Sequence, residues 1–213
     1  MARLDIFWSF RSPYSWLATE RLCAIARDYA AEIRFRPVRP LAMRESDFFE
    51  RARPQFLPYL MKDVFREALR LGIRIAPPRP DPIAMDMASG KVDPAQPKMD
   101  RLMALAVAAV EAGKGLDFAH AAARRIWGGV ENWHEGTVLE EAAAEAGLQL
   151  SALEAWAKNN SATVARVIEE NETEQLRHHW GVPLMVLDEE PFFGQDRLDS
   201  LVWRMDQLGL KRR

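Results

Sequence analysis

Two serine hydroxyls flank a proline and a tyrosine near the start of the sequence, in the segment Ser12-Pro13-Tyr14-Ser15. Serine is a favoured N-cap of a helix, and proline at the first helical position loses no hydrogen bond. The N-terminus of a helix carries partial positive charge and free N–H groups, which stabilise an anion such as a thiolate. Ser12 could therefore donate a hydrogen bond to a bound thiolate, although the same residues also fit a plain helix cap.

Two further segments near the other end of the sequence could bind a ligand. Val182-Pro183 precedes a buried type of strand, and a cis bond there would turn the backbone toward a ligand. Gly194 permits close approach, while Gln195 and Asp196 open the last predicted helix. Asp196 could hold an ammonium group at this helix start, but it also fits a simple cap.

The elements that must position these residues begin with a strand–helix–strand unit. Leu4–Phe10 is rich in β-forming residues and predicts a buried strand. A helix then runs from Pro13 to about Tyr29, and alternation over Ile33–Val38 predicts a second strand. Such a unit predicts parallel strands, whose carboxyl ends form the sheet edge where open α/β folds bind ligands.

The middle of the sequence, from about residue 40 to 174, predicts helices. Its prolines make residues 76–82 an extended loop. A capping box is predicted at Thr137 with Glu140, and Ser151 has the same signature. The predicted helices are Tyr59–Leu71, Met99–Ala112, Phe118–Trp127, Thr137–Ala146, one that begins at Ser151, and Ser161 to about His178.

Strand patterns return in the last part of the sequence. Leu184–Leu187 predicts a buried strand, Pro191–Gly194 a second short strand, and Asp196–Leu208 an amphipathic helix. A βαβ half and a ββα half separated by helices describe an α/β, thioredoxin-like fold with a large all-helical insertion. The predicted domains are residues 1–40 plus 175–213 for the thioredoxin-like domain and residues 41–174 for the inserted helical domain.

Composition and charge exclude several classes of protein. The 213 residues carry a net charge of −2, which argues against a nucleic-acid-binding surface. No apolar stretch is long enough for a membrane span or a secretory signal, so we expect a cytoplasmic protein. A single cysteine excludes a disulfide framework and a cysteine-rich metal site. His178 and His179 are adjacent on a predicted helix and face different ways, so no metal site is predicted.

Three segments together resemble the 2-hydroxychromene-2-carboxylate isomerase family: Phe7–Ala18, Gly181–Pro183 and Phe193–Asp199. That family is close to kappa-class glutathione transferases and belongs to the DsbA-like thioredoxin superfamily. The resemblance implies a DsbA-like fold, glutathione as cofactor, a cis Val182–Pro183 bond, a small-molecule substrate and a homodimer.

The resemblance also implies roles for single residues. Ser12 matches the serine that contacts the glutathione sulfur and stands at the place of the first cysteine of a DsbA-type C-x-x-C motif, with Ser15 at the place of the second. Val182 matches the residue whose backbone pairs with the cysteinyl unit of glutathione. Gln195 and Asp196 match the pair that holds the γ-glutamyl end.

The sequence departs from the family pattern where the glycine end of glutathione would bind. Tyr59, Asp63 and Arg66 match a family helix of the form Tyr-x-x-x-Asp-x-x-Arg, but Phe56 stands at the usual lysine position. The family's asparagine is also missing from residues 51–55. The basic residues nearby that could substitute for these anchors are Arg51, Arg53 and Lys62.

Aromatic and sulfur-containing side chains could form the wall of a second substrate's pocket, although such residues more often lie in a core. The wall candidates are Phe48, Phe49, Phe56, Trp127 and Met85–Met87. Tyr14, Tyr59 and His134 are further pocket candidates. Cys23 lies deep in the first helix, which predicts a buried, inert thiol.

These observations favour a glutathione-dependent isomerase or transferase that acts on a small aromatic or electrophilic compound, with Ser12 stabilising the thiolate. In the isomerase reaction that the resemblance implies, the thiolate adds reversibly and lets a double bond rotate before glutathione leaves unchanged. The alternative is a non-catalytic thioredoxin-fold binding protein that has lost its glutathione anchors. Thiol–disulfide exchange is excluded because Ser12 and Ser15 cannot form a disulfide.

Overall fold

A four-stranded mixed sheet carries the two ends of the chain in the computed structural model, which describes residues 1–86 and 89–212. The strands are β1 (Ala2–Trp8), β2 (Ala31–Pro37), β3 (Leu184–Leu187) and β4 (Glu190–Phe193), in the order β2-β1-β3-β4. β1 runs parallel to β2 and antiparallel to β3, which is antiparallel to β4. The βαβ and ββα patterns expected from the sequence are therefore confirmed.

Helices fill the chain between β2 and β3. The helices are α1 (Pro13–Asp28), α2 (Leu41–Arg44), α3 (Phe48–Arg51), α4 (Phe56–Leu71), α5 (Pro97–Glu111), α6 (Gly115–Trp127), α7 (Val138–Glu145), α8 (Leu150–Asn159), α9 (Ser161–Leu176) and α10 (Leu198–Gln207). A 3₁₀ turn, Gln195–Arg197, leads into α10. In the described part of the chain, no helix is long and apolar enough to cross a membrane.

The first helix begins and ends as its sequence predicts. The Ser12 side chain accepts a 3.1 Å hydrogen bond from the Ser15 backbone N–H, and Pro13 occupies the first helical position. The Tyr29 N–H donates to the Ile25 carbonyl at the other end. The Ser12 cap fixes the start of α1 at the carboxyl edge of β1, where the candidate site lies.

One apolar core joins the sheet to the helical block. Leu4, Ile6 and Trp8 of β1 are fully buried in the same cluster as side chains of α5 and α6, such as Leu102 and Phe118. Complete burial of one large apolar side chain contributes about 1.5–3 kcal/mol to folding. The inserted helices therefore pack on the sheet that carries the candidate site and stabilise it.

Thr137 stands at the N-cap of α7 as predicted, but the capping boxes predicted at Thr137 and Ser151 do not form. Thr137 has helical backbone angles, so its side chain caps no backbone N–H and its hydroxyl donates instead to Glu141, 3.0 Å away. The helix predicted to begin at Ser151 begins at Leu150 and has Gln149 at its N-cap. The short helices α2 and α3 were not predicted, because four residues are too few to show a helical period.

Candidate active site

A cavity of about 470 Å³ lies beside the start of α1. Its walls come from the α1 N-terminus, from α4, from the loop at residues 75–81 and from the segment before β3. The lining is mostly apolar, and a cavity of this size matches those that bind small molecules. Leu57, Met61 and Phe65 of α4 line it and are each more than two-fifths exposed, so the cavity opens to solvent beside α4.

Ser12 places its hydroxyl at the lip of this cavity. Besides accepting from Ser15, its Oγ lies 3.5 Å from the Val182 carbonyl oxygen, at the long limit of a hydrogen bond. The hydroxyl proton is thus weakly held and can turn to another acceptor. Among the residues that the structure describes, the backbone N–H of Tyr14 has no hydrogen-bond partner, so a second donor stands at this helix start.

A buried hydrogen-bond network joins the first turns of α1 to β1. Trp8 Nε1 donates to the Ser15 carbonyl at 2.9 Å and to Thr19 Oγ1 at 3.0 Å. The Thr19 hydroxyl donates to the Ser15 carbonyl at 2.6 Å. Ser15 is fully buried, so its side chain packs under the site and does not face the cavity. This network holds the first turn of α1 rigidly against β1.

The segment before β3 forms the opposite lip. Val182 lines the cavity, and the Val182–Pro183 bond is cis, which confirms that prediction. Pro183 is buried, and its carbonyl accepts a 3.0 Å hydrogen bond from the Gly194 N–H. A second cis bond, Arg79–Pro80, was not predicted.

Tyr14 connects the α1 side of the cavity to the α4 side. Its phenol donates a 2.7 Å hydrogen bond to Asp63 on α4. Burial, with Asp63 as the next cause, raises the pKa of Tyr14, so this phenol stays protonated at neutral pH. Trp127 also lines the cavity, and its indole N–H donates to the Phe10 carbonyl at 2.9 Å.

Aromatic side chains cover one wall of the cavity. Phe48 lies edge-on to Phe49 and Phe56, with ring centroids 5.3 and 5.6 Å apart, and all three line the cavity together with Met85. Met87, which was also predicted for this wall, lies outside the described residues. The arrangement can receive a flat apolar compound.

Two other predicted pocket residues do not line this cavity. Tyr59 is 62% exposed and points away from it, because α4 turns its neighbours Leu60 and Met61 inward instead. His134 lies beside Glu135, its Nε2 3.5 Å from the carboxylate, in a loop outside the cavity.

Gln195 and Asp196, the predicted anchors for the γ-glutamyl end, do not line the cavity, and they differ in burial. Gln195 is 3% exposed, accepts a short hydrogen bond from Arg21 and donates to Glu67 of α4 at 2.8 Å. Its side chain therefore joins three elements of the fold and is not free for a ligand. The Asp196 carboxylate is 58% exposed and lies 3.3 Å from Arg197, so it remains accessible.

Three polar residues of the cavity were missed by the sequence analysis. Arg11 forms a bidentate ion pair with Asp81, at 2.9 and 3.0 Å. Ser9 has a buried hydroxyl, and Arg44 a buried Nε, that have no hydrogen-bond partner within the described part of the chain. The sequence offered no signal for Arg44, because it belongs to a four-residue helix and meets the cavity only through tertiary packing.

The remaining candidates for sulfur or metal chemistry lie elsewhere. Cys23 is half-buried rather than fully buried as expected, and this burial raises the pKa of its thiol to about 12, so little thiolate forms at neutral pH. His179 Nδ1 accepts from the Gly181 N–H at 2.9 Å, and its ring stacks on Phe193. Residues 1–86 and 89–212 contain no group of three or more side chains placed to hold a metal ion.

The fold and the site define a class of α/β protein in which a helix start faces a cis-proline loop, with helices inserted between the two halves of the sheet. The chain belongs to the DSBA-like thioredoxin domain family, which matches residues 3–206. The predicted thioredoxin-like, DsbA-like fold is thereby confirmed. A comparison with curated proteins found no significant match.

Solved structures of the same fold include an isomerase and disulfide-exchange proteins. A structure of 2-hydroxychromene-2-carboxylate isomerase is 25% identical, with a TM-score of 0.70, and the match covers 96% of this chain and 95% of that one. A probable DsbA oxidoreductase from Streptomyces coelicolor is 16% identical, with a TM-score of 0.66 and coverage of 100% and 92%. The cytosolic disulfide reductase DsbM from Pseudomonas aeruginosa, solved with glutathione, is 16% identical, with a TM-score of 0.58 and coverage of 98% and 100%.

Proposed function

We propose that this protein is a glutathione-dependent isomerase or transferase that acts on a small aromatic or electrophilic compound. The observation that carries the proposal is the Ser12 hydroxyl, which sits at a helix N-terminus on the edge of an apolar cavity. The 25% identity to 2-hydroxychromene-2-carboxylate isomerase supports the isomerase type. A homodimer and a cytoplasmic location, expected from the sequence, belong to the same proposal.

The residues around Ser12 fit a thiol tripeptide. The weakly held Ser12 proton and the Tyr14 N–H would both donate to a thiolate. The Val182 backbone, at the opposite lip, would pair with the cysteinyl unit. The exposed Asp196 carboxylate would hold the ammonium group at the γ-glutamyl end. Gln195 does not fit its expected role, since its side chain is bound to Arg21 and Glu67.

Glutathione supplies a nucleophilic thiolate when it is bound. The chain's part is to favour that thiolate over the thiol, and one pKa unit of preference corresponds to about 1.4 kcal/mol. The Tyr14 phenol remains protonated and keeps α4 in place through Asp63. The aromatic wall at Phe48 and Phe56 excludes water and stacks on a flat substrate.

A specific observation favours a second candidate, a non-catalytic binding protein of the same fold. Phe56 lines the cavity where the family resemblance implies a lysine anchor, and Gln195 is engaged within the fold. Disulfide exchange within the chain is disfavoured, because the sequence has one cysteine and that residue, Cys23, does not line the cavity.

Calorimetric titration with reduced glutathione, followed by an activity assay, tests the proposal. Wild-type protein should bind with a dissociation constant of about 1 mM or lower. It should also convert an electrophilic aromatic compound only when glutathione is present. A thiol assay then separates the two activities, since a transferase consumes glutathione and an isomerase does not. Absence of both binding heat and thermal stabilisation at high glutathione would contradict the proposal and favour the binding protein.

A further inference from the structure

One cation in the cavity lacks a counter-charge. The charged side chains among the described lining residues are Arg11, Asp81 and Arg44. Arg11 and Asp81 neutralise each other in their bidentate pair. No carboxylate of residues 1–86 and 89–212 lies within 4.0 Å of the Arg44 guanidinium. Arg44 therefore leaves this apolar cavity with a net positive charge.

Arg44 is held in place by neutral acceptors. Its Nη1 donates to Gln175 Oε1 at 3.0 Å and its Nη2 to the Trp180 carbonyl at 3.2 Å. Gln175, itself fully buried, is fixed by a 2.7 Å hydrogen bond to the Gly181 carbonyl. These bonds orient the guanidinium without neutralising it. The buried Arg44 Nε is left without a partner in the part of the chain that the structure describes.

An anion in the cavity would stabilise the Arg44 guanidinium. Desolvation lowers the pKa of Arg44 from its ordinary value, and the nearby charges of Glu172 and Glu45 do not fully offset this effect. Arg44 is half-buried, and a partly desolvated charge is stabilised when an anion binds to it. Arg44 lines the cavity, and a guanidinium in an apolar wall is well matched to a carboxylate, which can accept two of its hydrogen bonds.

We propose that Arg44 binds the carboxylate of a ligand in this cavity and that, if the proposed function holds, this group is the glycyl carboxylate of glutathione. Arg44 contacts the backbone of Trp180, two residues before Val182, so it lies near the segment that would pair with the cysteinyl unit. An extended tripeptide spans about 10 Å, enough for its glycyl end to reach past a cysteinyl unit at Val182. Arg44 would thus replace the anchor lost at Phe56.

The location of Phe56 supports this replacement. Phe48 contacts both Phe56 and Trp180, with ring centroids 5.6 and 6.4 Å apart, so Phe56 and Arg44 belong to the same corner of the cavity. The substitutes considered from the sequence do not line the cavity, and Arg51 is paired with Asp47 and Glu45.

Binding measurements with ligands that differ only in one carboxylate test the inference. The first pair is glutathione and its glycine monoethyl ester, and the second is naphthoate and naphthamide, which stand for an aromatic co-substrate. Each pair is titrated into wild type, Arg44→Gln, Arg44→Lys and a control, Arg166→Gln, which changes an exposed arginine paired with Glu170. The wild-type comparison needs no variant, so it holds even if Arg44→Gln folds poorly.

We expect wild type to bind glutathione at least about tenfold more tightly than the ester, a difference of about 1.4 kcal/mol. Arg44→Gln should remove this preference, Arg44→Lys should retain part of it, and Arg166→Gln should retain all of it. If the preference appears only between naphthoate and naphthamide, the carboxylate belongs to the co-substrate and Arg44 still binds it.

The failures of the two proposals are distinguishable. If glutathione does not bind at all, the proposed function fails and the naphthoate pair alone decides the role of Arg44. If glutathione binds but neither pair shows an Arg44-dependent preference, the carboxylate site is overturned and the proposed function stands.

Discussion

The Ser12 hydroxyl oxygen lies 3.5 Å from the carbonyl oxygen of Val182, a residue 170 positions away in the sequence. This contact brings the helix start after β1 against the cis-proline loop before β3. The candidate site is therefore composite, since its two lips come from the two ends of the chain, which meet at β1 and β3, and its walls come from the inserted helices. Changes on either lip should affect the same bound thiol.

The hydrogen bond between Tyr14 and Asp63 should stabilise the α4 wall. Tyr14→Phe removes a 2.7 Å hydrogen bond to the Asp63 carboxylate, whose ion-pair partner Arg66 is 3.9 Å away. We expect a loss of about 1–2 kcal/mol in the free energy of unfolding, measured by urea denaturation at neutral pH, and faster amide exchange in α4. Tyr59→Phe, at an exposed position of α4, is the control and should change neither. Equal effects of both variants would argue against this role for Tyr14.

Asp196 and Gln195 should respond differently to substitution. Asp196→Ala should weaken glutathione binding about tenfold and leave stability unchanged, because the carboxylate is 58% exposed. Gln195→Ala should lower the free energy of unfolding by about 1–3 kcal/mol, because it removes the buried side chain that hydrogen-bonds both Arg21 and Glu67. Calorimetry and urea denaturation measure the two effects. Asp199→Ala, three residues further along the chain at the start of α10, is the control for a general charge effect.

Acidification should destabilise the protein through two histidines. Burial lowers the pKa of His120 and His179 below their ordinary value of 6.5. The unfolded chain therefore takes up these protons at higher pH than the folded chain, so stability falls as the pH drops through about 6.5 toward the folded values. Urea denaturation at about pH 7.5 and pH 5.5 should show this decrease. A His120→Asn, His179→Asn double variant should show a smaller one, and an unchanged decrease would exclude these histidines as its cause.

Much of the scaffold could be predicted because its signals are local. Ser12 and Pro13 identify a helix start on their own, and β3 was predicted with its observed bounds from four consecutive apolar residues. The capping hydrogen bond predicted at Thr137 does not form, and the reason is also local. Thr137 has helical backbone angles, and its hydroxyl donates to the Glu141 carboxylate instead.

The site could be predicted only in part, because most of its chemistry depends on tertiary packing. The roles of Ser12 and Val182 were expected from a family resemblance, and their contact spans the chain. Nothing local in the sequence sets Arg44 apart from the other arginines, and its place in the cavity follows from Gln175 and Trp180. Gln195 was predicted as a ligand, whereas burial and two side-chain partners give it a structural role.

The pKa of the glutathione thiol in the complex tests the central claim most directly. Thiolate absorbance is titrated against pH with saturating protein, for wild type, Ser12→Ala and the control Ser151→Ala on the exposed side of α8. We predict that wild type and Ser151→Ala lower the thiol pKa by at least about one unit, and that Ser12→Ala loses most of this shift. A bound thiol whose pKa equals that of free glutathione, or an equal shift in Ser12→Ala, would contradict the account.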